Sequence, residues 1–186
     1  MDLDKLLLNA LANRQQEGTL RKMTSPGTLI DFSSNDYLGL SQSEELKKLI
    51  SSATINHNGS TGSRLLTGNY PLIGEVEQYL AHLFQTEAAL IFNSGYAANL
   101  AVLSCLAKKG DSILYDQLSH ASIKDGARLS IATRFPFRHN DLDDLAQKLA
   151  KAQGNVFVAV ESVYSMDGDA SPLKELSSLC KSNGAH

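Results

Sequence analysis

Residues 93–99 form the first arrangement that could do chemistry, a glycine-containing turn between an apolar run and a helical pattern. Gly95 allows a ligand to approach the backbone closely, and the amides of Gly95 and Tyr96 open the following helix. Free amides at a helix start, helped by the helix dipole, bind phosphate without a lysine. The segment therefore predicts an anion site, although a glycine before a helix is also typical of an ordinary tight turn.

Two further polar segments follow apolar runs, at 116–122 and 161–169. In the first, the ring of His120 could stack on a planar cofactor or relay a proton. The alternative interpretation makes Ser119 a helix cap and His120 a partly exposed residue of the first turn. In the second segment the polar groups converge where a site should lie, and a serine hydroxyl there could hydrogen-bond a cofactor oxygen.

The spacing of the remaining polar residues disfavours other kinds of site. Residues 167–169, Asp-Gly-Asp, resemble a calcium loop but lack its other ligands. His57, His82 and His139 have no metal-site spacing with cysteines or acids, so we assign them no role and predict no metal. The sequence contains no GxSxG, GxGxxG or phosphate-loop motif, which counts against serine hydrolases, dinucleotide-binding proteins and P-loop enzymes.

These segments lie within a regular alternation of strand and helix patterns. A continuous apolar run at 156–160 is typical of a strand buried on both faces. The alternation predicts an α/β fold, with a mostly parallel sheet that has helices on both faces. Strands are predicted at 28–32, 88–92, 112–115, 133–137 and 156–160, a loop at 56–69, and helices at 3–15, 43–50, 73–83, 96–106, 119–129, 142–149 and 172–182.

The pattern also predicts how the chain is divided. Residues 1–45 are expected to form an N-terminal helix and an extended segment, and residues 46–186 a larger domain. Asn183 and Gly184 are typical of a helix stop, after which the rhythm calls for another strand. Because the sequence stops at His186, we expect that this domain is truncated and that it exposes an unpaired sheet edge.

Composition excludes several classes of protein. The chain has 186 residues with 42% hydrophobic content, which is enough for a packed core. A net charge of −3 offers no basic surface for nucleic acid or anionic membranes. Cys105 and Cys180 are far apart and predict reduced thiols. With no membrane span and no secretory signal expected at the N-terminus, the sequence predicts a cytoplasmic protein.

Six strings, in order along nearly the whole chain, resemble the α-oxoamine synthases, which are fold-type I enzymes that use pyridoxal 5'-phosphate (PLP). Among these enzymes, the first two strings are most similar to the 8-amino-7-oxononanoate synthases of biotin synthesis. The resemblance implies the PLP-dependent transferase large domain and a homodimer. The strings are FSSNDYLGL at 32–40, GSTGSRLLTGN at 59–69, EAALIFNSGYAAN at 87–99, DQLSHAS at 116–122, HND at 139–141 and ESVYSMDGD at 161–169.

The resemblance also implies a reaction and roles for particular residues. The reaction is the decarboxylative condensation of L-alanine with a pimeloyl thioester, on CoA or a carrier protein. Relatives with the same cofactor are the 2-amino-3-ketobutyrate CoA ligases, 5-aminolevulinate synthases and serine palmitoyltransferases. The implied cofactor contacts are Gly95, Tyr96, Ser165 and Glu161; His120 is implied to stack on the ring as the catalytic residue near the substrate; Arg21 and Asn35 are implied to contact substrate.

The lysine and the aspartate that such enzymes use to hold and activate PLP lie, by the resemblance, beyond the position of His186. Lys108, Lys109, Lys124 and Lys174 do not occupy the expected motif. We therefore expect this chain alone to bind PLP weakly or not at all and not to turn over. Two alternatives stay open: an aminotransferase, or a non-catalytic α/β module that acts by pairing with a full-length subunit.

Overall fold

The structure, a computed structural model, describes residues 2–23, 27, 29–53 and 58–186. The chain divides into two compact units, Met1–Thr61 and Gly62–His186. The boundary between these units falls later in the chain than the predicted division after residue 45. That predicted domain division stays a prediction. Within the described ranges, every helix is too short or too polar to cross a membrane.

The first unit contains the two helices that the sequence predicts. Helix α1 spans Leu3–Gln16, and the side chain of Asp2 caps it by accepting from the amide of Asp4. Helix α2 spans Glu44–Ser52, after a single 3₁₀ turn at Leu40–Gln42. The hydroxyl of Ser43 accepts from the amide of Leu46, which satisfies a donor that a helix start leaves free.

The strand predicted at 28–32 is wrong over its described part. Thr28 lies outside the described residues, and residues 29–32 form no strand. The carboxylate of Asp31 accepts from the amides of Ser33 and Ser34, at 2.8 and 3.1 Å. Such local bonds between a side chain and the backbone favour a turn over an extended strand. Of the loop predicted at 56–69, residues 56 and 57 lie outside the described residues and the remainder has no helix or strand.

The second unit is built on a three-stranded parallel sheet with the order β2-β1-β3. Strand β1 spans Ser112–Asp116, β2 spans Thr133–Phe137, and β3 spans Val156–Ala159. The central strand β1 pairs in parallel with both neighbours, Ser112 lying opposite Thr133 on one side and Val156 on the other. The predicted α/β fold with a parallel sheet is confirmed.

Helices cover both faces of this sheet. Successive residues of a strand point to opposite sides, so β1 contributes side chains to an apolar cluster on each face. Leu114 packs with Leu145 and Leu176, which lie on two of the helices. Its neighbour Ile113 packs with Ala127 in a separate cluster. The helices of this unit are α3 Pro71–Leu83, α4 Gly95–Leu106, α5 Ala121–Leu129, α6 Leu142–Leu149 and α7 Leu173–Ser182.

Two expectations about strands are wrong. Residues 88–92 form no strand, and Leu90 is 65% exposed, because no described strand lies beside them to accept their hydrogen bonds. Strand β3 is only half-buried, since it lies at one end of the strand order rather than at the centre. On that edge the backbone of His186 makes two hydrogen bonds, both 2.8 Å long, with Val156 and Val158.

An ion pair joins the glycine-containing loop before α3 to the middle of that helix. The guanidinium of Arg64 donates to both carboxylate oxygens of Glu77, at 2.6 and 2.8 Å. The amide of Ile91 donates to the same carboxylate at 2.8 Å. The hydrogen bonds from Arg64 and then from Ile91 lower the pKa of Glu77 from its ordinary value of 4.5 to about 2. Glu77 thus connects α3 to the loop that contains Arg64 and to the segment around Ile91, neither of which is a helix or a strand.

We expect Glu77→Gln to lower the thermal unfolding midpoint at neutral pH by about 5 °C, because a charge-assisted bidentate pair becomes a neutral contact. A lowered pKa means that the native carboxylate stabilises the fold above about pH 4.5, and that this contribution is lost as the pH falls towards 2. The variant should lack this part of the acid dependence. Thermal unfolding followed by circular dichroism between these pH values measures both effects.

Glu75→Gln is the matched control, since Glu75 lies on the same helix, is exposed, and has no ion pair among the described residues. It should leave the midpoint and its acid dependence unchanged. Equal losses in the two variants would show that the pair with Arg64 does not stabilise the fold.

Candidate functional site

An open cavity of about 440 Å³ lies where the chain leaves the carboxyl ends of β1 and β3. This is the edge at which parallel α/β sheets bind ligands. The cavity brings together four residues that the sequence singles out, from three separate segments: Gly95, Tyr96, His120 and Glu161. Its other lining residues, which the sequence analysis did not select, are Asn99, Ser122, Ser162 and Val163.

The first wall of the cavity is the start of α4. The hydroxyl of Ser94 caps this helix by accepting from the amide of Ala97 at 3.1 Å. The amides of Gly95 and Tyr96 have no hydrogen-bond acceptor among the described residues. A Cβ added at Gly95 would meet no atom within 4 Å. Two free donors beside open space, at the positive end of a helix dipole, suit an anionic ligand.

His120, and not Ser119, caps helix α5. The ring Nδ1 of His120 accepts from the amide of Ser122 at 3.2 Å, which is the geometry of a helix cap. The Ser119 hydroxyl is buried and has no hydrogen-bond partner among the described residues. The alternative interpretation, in which Ser119 caps the helix and His120 lies in its first turn, is therefore wrong. The cap holds the His120 ring at the cavity wall.

Helices α4 and α5 approach each other closely beside the cavity. A Cβ added at Gly126 would lie 3.0 Å from the carbonyl oxygen of Asn99 and 3.0 Å from the Cβ of Leu103, so only glycine fits without a shift. This approach lets the side-chain amide of Asn99 donate to the hydroxyl of Ser122 at 3.0 Å. Both polar groups are thereby held next to His120.

Tyr96 also links the two helices. Its ring meets the His120 ring edge to face, with centroids 6.0 Å apart and an angle of 81° between the planes. Its hydroxyl donates to the carboxylate of Asp125, which also pairs with Arg128. The hydrogen bond to Asp125 raises the pKa of Tyr96, so the phenol stays protonated. The edge of the cavity thus has an aromatic side chain in a fixed orientation.

The start of α5 forms the second wall of the cavity, and the segment that follows β3 forms the third. The carboxylate of Glu161 accepts from the backbone amide of His120, which joins this segment to the start of α5. Ser165 does not reach the cavity lining; it is exposed in a turn that is closed by the amide of Gly168 donating to the carbonyl of Tyr164 at 2.8 Å. Arg21 and Asn35 are exposed residues of the first unit. The roles of Ser165, Arg21 and Asn35 stay predictions.

A second polar cluster, which the sequence analysis missed, lies at the same ends of the strands. Asp116 ends β1 and is completely buried. The ring of His139 lies between two carboxylates, with Nδ1 2.9 Å from Asp116 and Nε2 2.7 Å from Asp169. The amide of Asn140 donates to Asp116 at 2.9 Å, and its side chain donates to Asp169 at 2.8 Å. We call these four residues the Asp116 cluster.

The charges of the Asp116 cluster follow from its hydrogen bonds. The contact with Asp116, more than that with Asp169, raises the pKa of His139. Burial alone would raise the pKa of Asp116, but bonds from Asn140, Leu118 and His139 outweigh it and lower that pKa. The imidazole of His139, with one ring nitrogen on each carboxylate, therefore ties the end of β1 to the segment after β3. That segment also supplies the third wall of the cavity.

The cluster is a link between segments and not a metal site. Among residues 2–23, 27, 29–53 and 58–186, no three His, Cys, Asp or Glu side chains are arranged to hold a metal ion. The sequence did contain a signal for the cluster, because Asp116, His139 and Asp169 each lie at or after the carboxyl end of a strand. The spacing of one histidine along the chain could not reveal two carboxylates 23 and 30 residues away.

Comparison with known proteins supplies the context for this site. The family model of aminotransferase classes I and II matches residues 27–186. The chain is 46% identical over 161 residues to an 8-amino-7-oxononanoate synthase of Methylobacterium radiotolerans, covering 84% of this chain and 43% of that protein. It is 44% identical over 162 residues to the same-named protein of Haemophilus ducreyi, covering 82% and 42%. The chain spans about half the length of the curated relatives it matches.

Solved structures give a consistent result. A serine palmitoyltransferase of Sphingomonas wittichii has a TM-score of 0.76 at 31% identity, covering 98% of this chain and 50% of that one. A variant of the enzyme from S. paucimobilis, solved with a bound PLP–myriocin compound, has a TM-score of 0.76 at 30% identity, covering 96% and 51%. The 8-amino-7-oxononanoate synthase of Francisella tularensis has a TM-score of 0.65 at 31% identity, covering 82% and 42%.

Proposed function

Because the chain belongs to the aminotransferase class I and II family, we propose that it forms part of a PLP-dependent α-oxoamine synthase. The observation that carries the proposal is the juxtaposition of two free helix-start amides with an imidazole ring in one cavity. The proposed reaction is the condensation of L-alanine with a pimeloyl thioester, on CoA or a carrier protein, to give 8-amino-7-oxononanoate, with release of the thiol and carbon dioxide. This product belongs to biotin synthesis.

The polar groups of the cavity fit the parts of PLP. The amides of Gly95 and Tyr96 would bind the phosphate, because they are donors without acceptors at the positive end of a helix. His120 would lie against the flat ring, held there by its bonds to the start of α5. Glu161 would keep that start in place through the His120 amide. PLP, when bound, supplies an electron sink for negative charge on the carbon that carries the amino group.

The choice of substrate rests on sequence identity. The Methylobacterium radiotolerans and Haemophilus ducreyi proteins named 8-amino-7-oxononanoate synthase are 46% and 44% identical to this chain. The Francisella tularensis enzyme of that name is 31% identical, and the serine palmitoyltransferase structures are 30–31% identical. A second candidate is a serine-using synthase, because the fold matches those structures with a higher TM-score than the Francisella tularensis enzyme, 0.76 against 0.65. The other α-oxoamine synthases share the reaction type but have no such observation in their favour.

The remaining assignments follow the resemblance. His120 is proposed as the catalytic residue next to the substrate, with Arg21 and Asn35 as substrate contacts and Ser165 as a cofactor contact. A homodimer and a cytoplasmic location also remain proposals. No lysine is among the described residues that line the cavity. Since a lysine amine is needed to hold PLP covalently and to carry protons, we propose that this 186-residue chain alone binds PLP weakly or not at all and does not turn over.

Thiol release from pimeloyl-CoA tests the proposal. In the protein encoded by the whole reading frame that contains this chain, we expect PLP-dependent release with L-alanine at least about tenfold faster than with L-serine. The purified 186-residue chain should give none. Faster release with L-serine would establish the second candidate, and no release with any amino acid would refute both. Robust alanine-dependent thiol release by the chain alone would show that turnover does not need a lysine at the cavity.

A further inference from the structure

Three side chains form a continuous line of hydrogen bonds from α4 to the cavity. The side-chain amide of Asn99 donates to the hydroxyl of Ser122 at 3.0 Å. That hydroxyl lies 2.8 Å from Nδ1 of His120. The backbone amide of Ser122 donates to the same ring nitrogen at 3.2 Å. Ser122 is completely buried, whereas Asn99 and His120 are exposed, so water reaches only the two ends of this line.

The direction of these bonds follows from which groups can only donate. A backbone N–H is always a donor, so Nδ1 of His120 must accept and carries no proton. The NH₂ group of Asn99 is likewise a donor and occupies a lone pair of the Ser122 oxygen. The hydroxyl proton of Ser122 is therefore left to point at Nδ1, where it adds a second bond to the same lone-pair site. Both contacts favour the same form of the ring.

We propose that Ser122 and Asn99 are positioning residues that hold His120 as the tautomer protonated at Nε2. No hydrogen bond to Nε2 occurs among the described residues, so this N–H remains available to a ligand. The Nε2–H group of His120 can then donate to an oxygen or nitrogen acceptor of a ligand that binds beside the ring. The inference rests on the proposed cofactor site and refines the part that His120 plays there.

Asn99→Asp is the sharpest variant, because it keeps the shape of the side chain and reverses its polarity. A carboxylate would accept the Ser122 proton and turn the hydroxyl away from Nδ1. Nδ1 would keep the bond from the Ser122 amide but lose the bond from the hydroxyl, which weakens the preference for the Nε2-protonated form. Ser122→Ala tests the contribution of the hydroxyl separately, since it removes this group and keeps the backbone amide. It should weaken the preference without reversing it.

Nitrogen NMR of the imidazole rings in histidine-labelled chain reads the tautomer directly, with His120→Gln to assign the signal. At a pH where titration of the same signals shows the ring to be neutral, we expect the Nε2-protonated form of His120 in about tenfold excess. The excess should fall in both Ser122→Ala and Asn99→Asp, while the exposed His82 is unaffected. Thermal unfolding of each variant separates these changes from loss of the fold.

A wild-type ring protonated at Nδ1 would overturn the proposal, as would an unchanged tautomer in both folded variants. The measurement needs no cofactor, so it fails independently of the proposed function. If the tautomer is as stated and the whole-reading-frame protein does not bind PLP, only the proposed function is refuted. If that protein binds PLP while Nδ1 of His120 carries the proton, only the positioning role is refuted.

Discussion

Replacing Asp116 with alanine is expected to lower the free energy of unfolding of this chain by about 3–5 kcal/mol, the usual cost of removing one partner from a buried charged pair. Asp116 is completely buried and accepts from the amides of Leu118 and Asn140 and from the ring of His139. Alanine would leave these donors without an acceptor in a place that water does not reach. Chemical denaturation at pH 7 measures the loss.

Asp116→Asn refines this prediction. Asparagine has the same size, but its NH₂ group would face either the amide of Asn140 or the amide of Leu118, and both are donors. We expect the free energy of unfolding to fall by about 1–3 kcal/mol, which is less than the loss expected for Asp116→Ala. Asp143→Ala is the control, since Asp143 is exposed in α6; it should change stability by about 0.5 kcal/mol or less. Equal effects at the two aspartates would contradict the importance of the buried cluster.

The same variants should alter the alkaline part of the stability profile. The pKa of His139 is raised chiefly by Asp116, so its proton stabilises the fold below the ordinary pKa of 6.5 and this contribution is lost as the pH rises through the raised value. In Asp116→Asn the main cause of the raised pKa is gone. The loss of stability above pH 6.5 should therefore be smaller than in wild type, although Asp169 still faces the ring.

Regular elements were predictable where the apolar pattern alone determines them. The strands β1 and β2 and the helices α1 to α7 match their predicted positions to within a few residues, because the signals lie in their own residues, such as the Ser43 cap of α2 or Pro71 at the start of α3. Residues 88–92 have an equally apolar pattern and form no strand. A strand exists only if a neighbour accepts its hydrogen bonds, and the sequence of one segment does not reveal its neighbour.

The candidate site was predictable in part for the same reason. Gly95, Tyr96, His120 and Glu161 follow apolar runs, and the carboxyl ends of parallel strands meet at one edge. Asn99 and Ser122 were missed because they line the cavity only through the close approach of α4 and α5 at Gly126.

His139 was missed for a different reason. It lies in the string HND at 139–141, but its spacing along the chain indicates no role, because its partners are 23 and 30 residues away. A rule that inspects every polar residue just after a predicted strand would have found Asp116 and His139 but not Asp169, which is ten residues beyond the end of β3. It would not have given their pairing, since that depends on distances that only the folded chain defines.

Gly95→Asp is expected to weaken PLP binding by about 10- to 100-fold, in the protein encoded by the whole reading frame that contains this chain. A carboxylate beside the amides of Gly95 and Tyr96 would repel the phosphate at a separation of about 4 Å, where like charges near a protein surface cost about 1–4 kcal/mol. The open space around Gly95 accommodates a side chain without a clash in the free protein. Fluorescence titration with PLP at fixed ionic strength measures the affinity.

The variant separates binding from folding because the two effects have opposite signs. An acidic residue in the first turn of α4 interacts favourably with the helix dipole, so the thermal midpoint should stay the same or rise. Gly95→Asn is the matched control, with the same shape and no charge. It should bind PLP more tightly than Gly95→Asp, and inorganic phosphate should compete for the wild-type site.

The comparison between these two variants tests the anion site itself. Side-chain bulk at position 95 is the same in both, so any difference in affinity reports the charge of the ligand at that point. If aspartate and asparagine weaken PLP binding equally, no anionic group lies at the start of α4, and the glycine serves only as a tight turn. If the difference grows as the salt concentration falls, the effect is electrostatic, as the free amides at Gly95 and Tyr96 require.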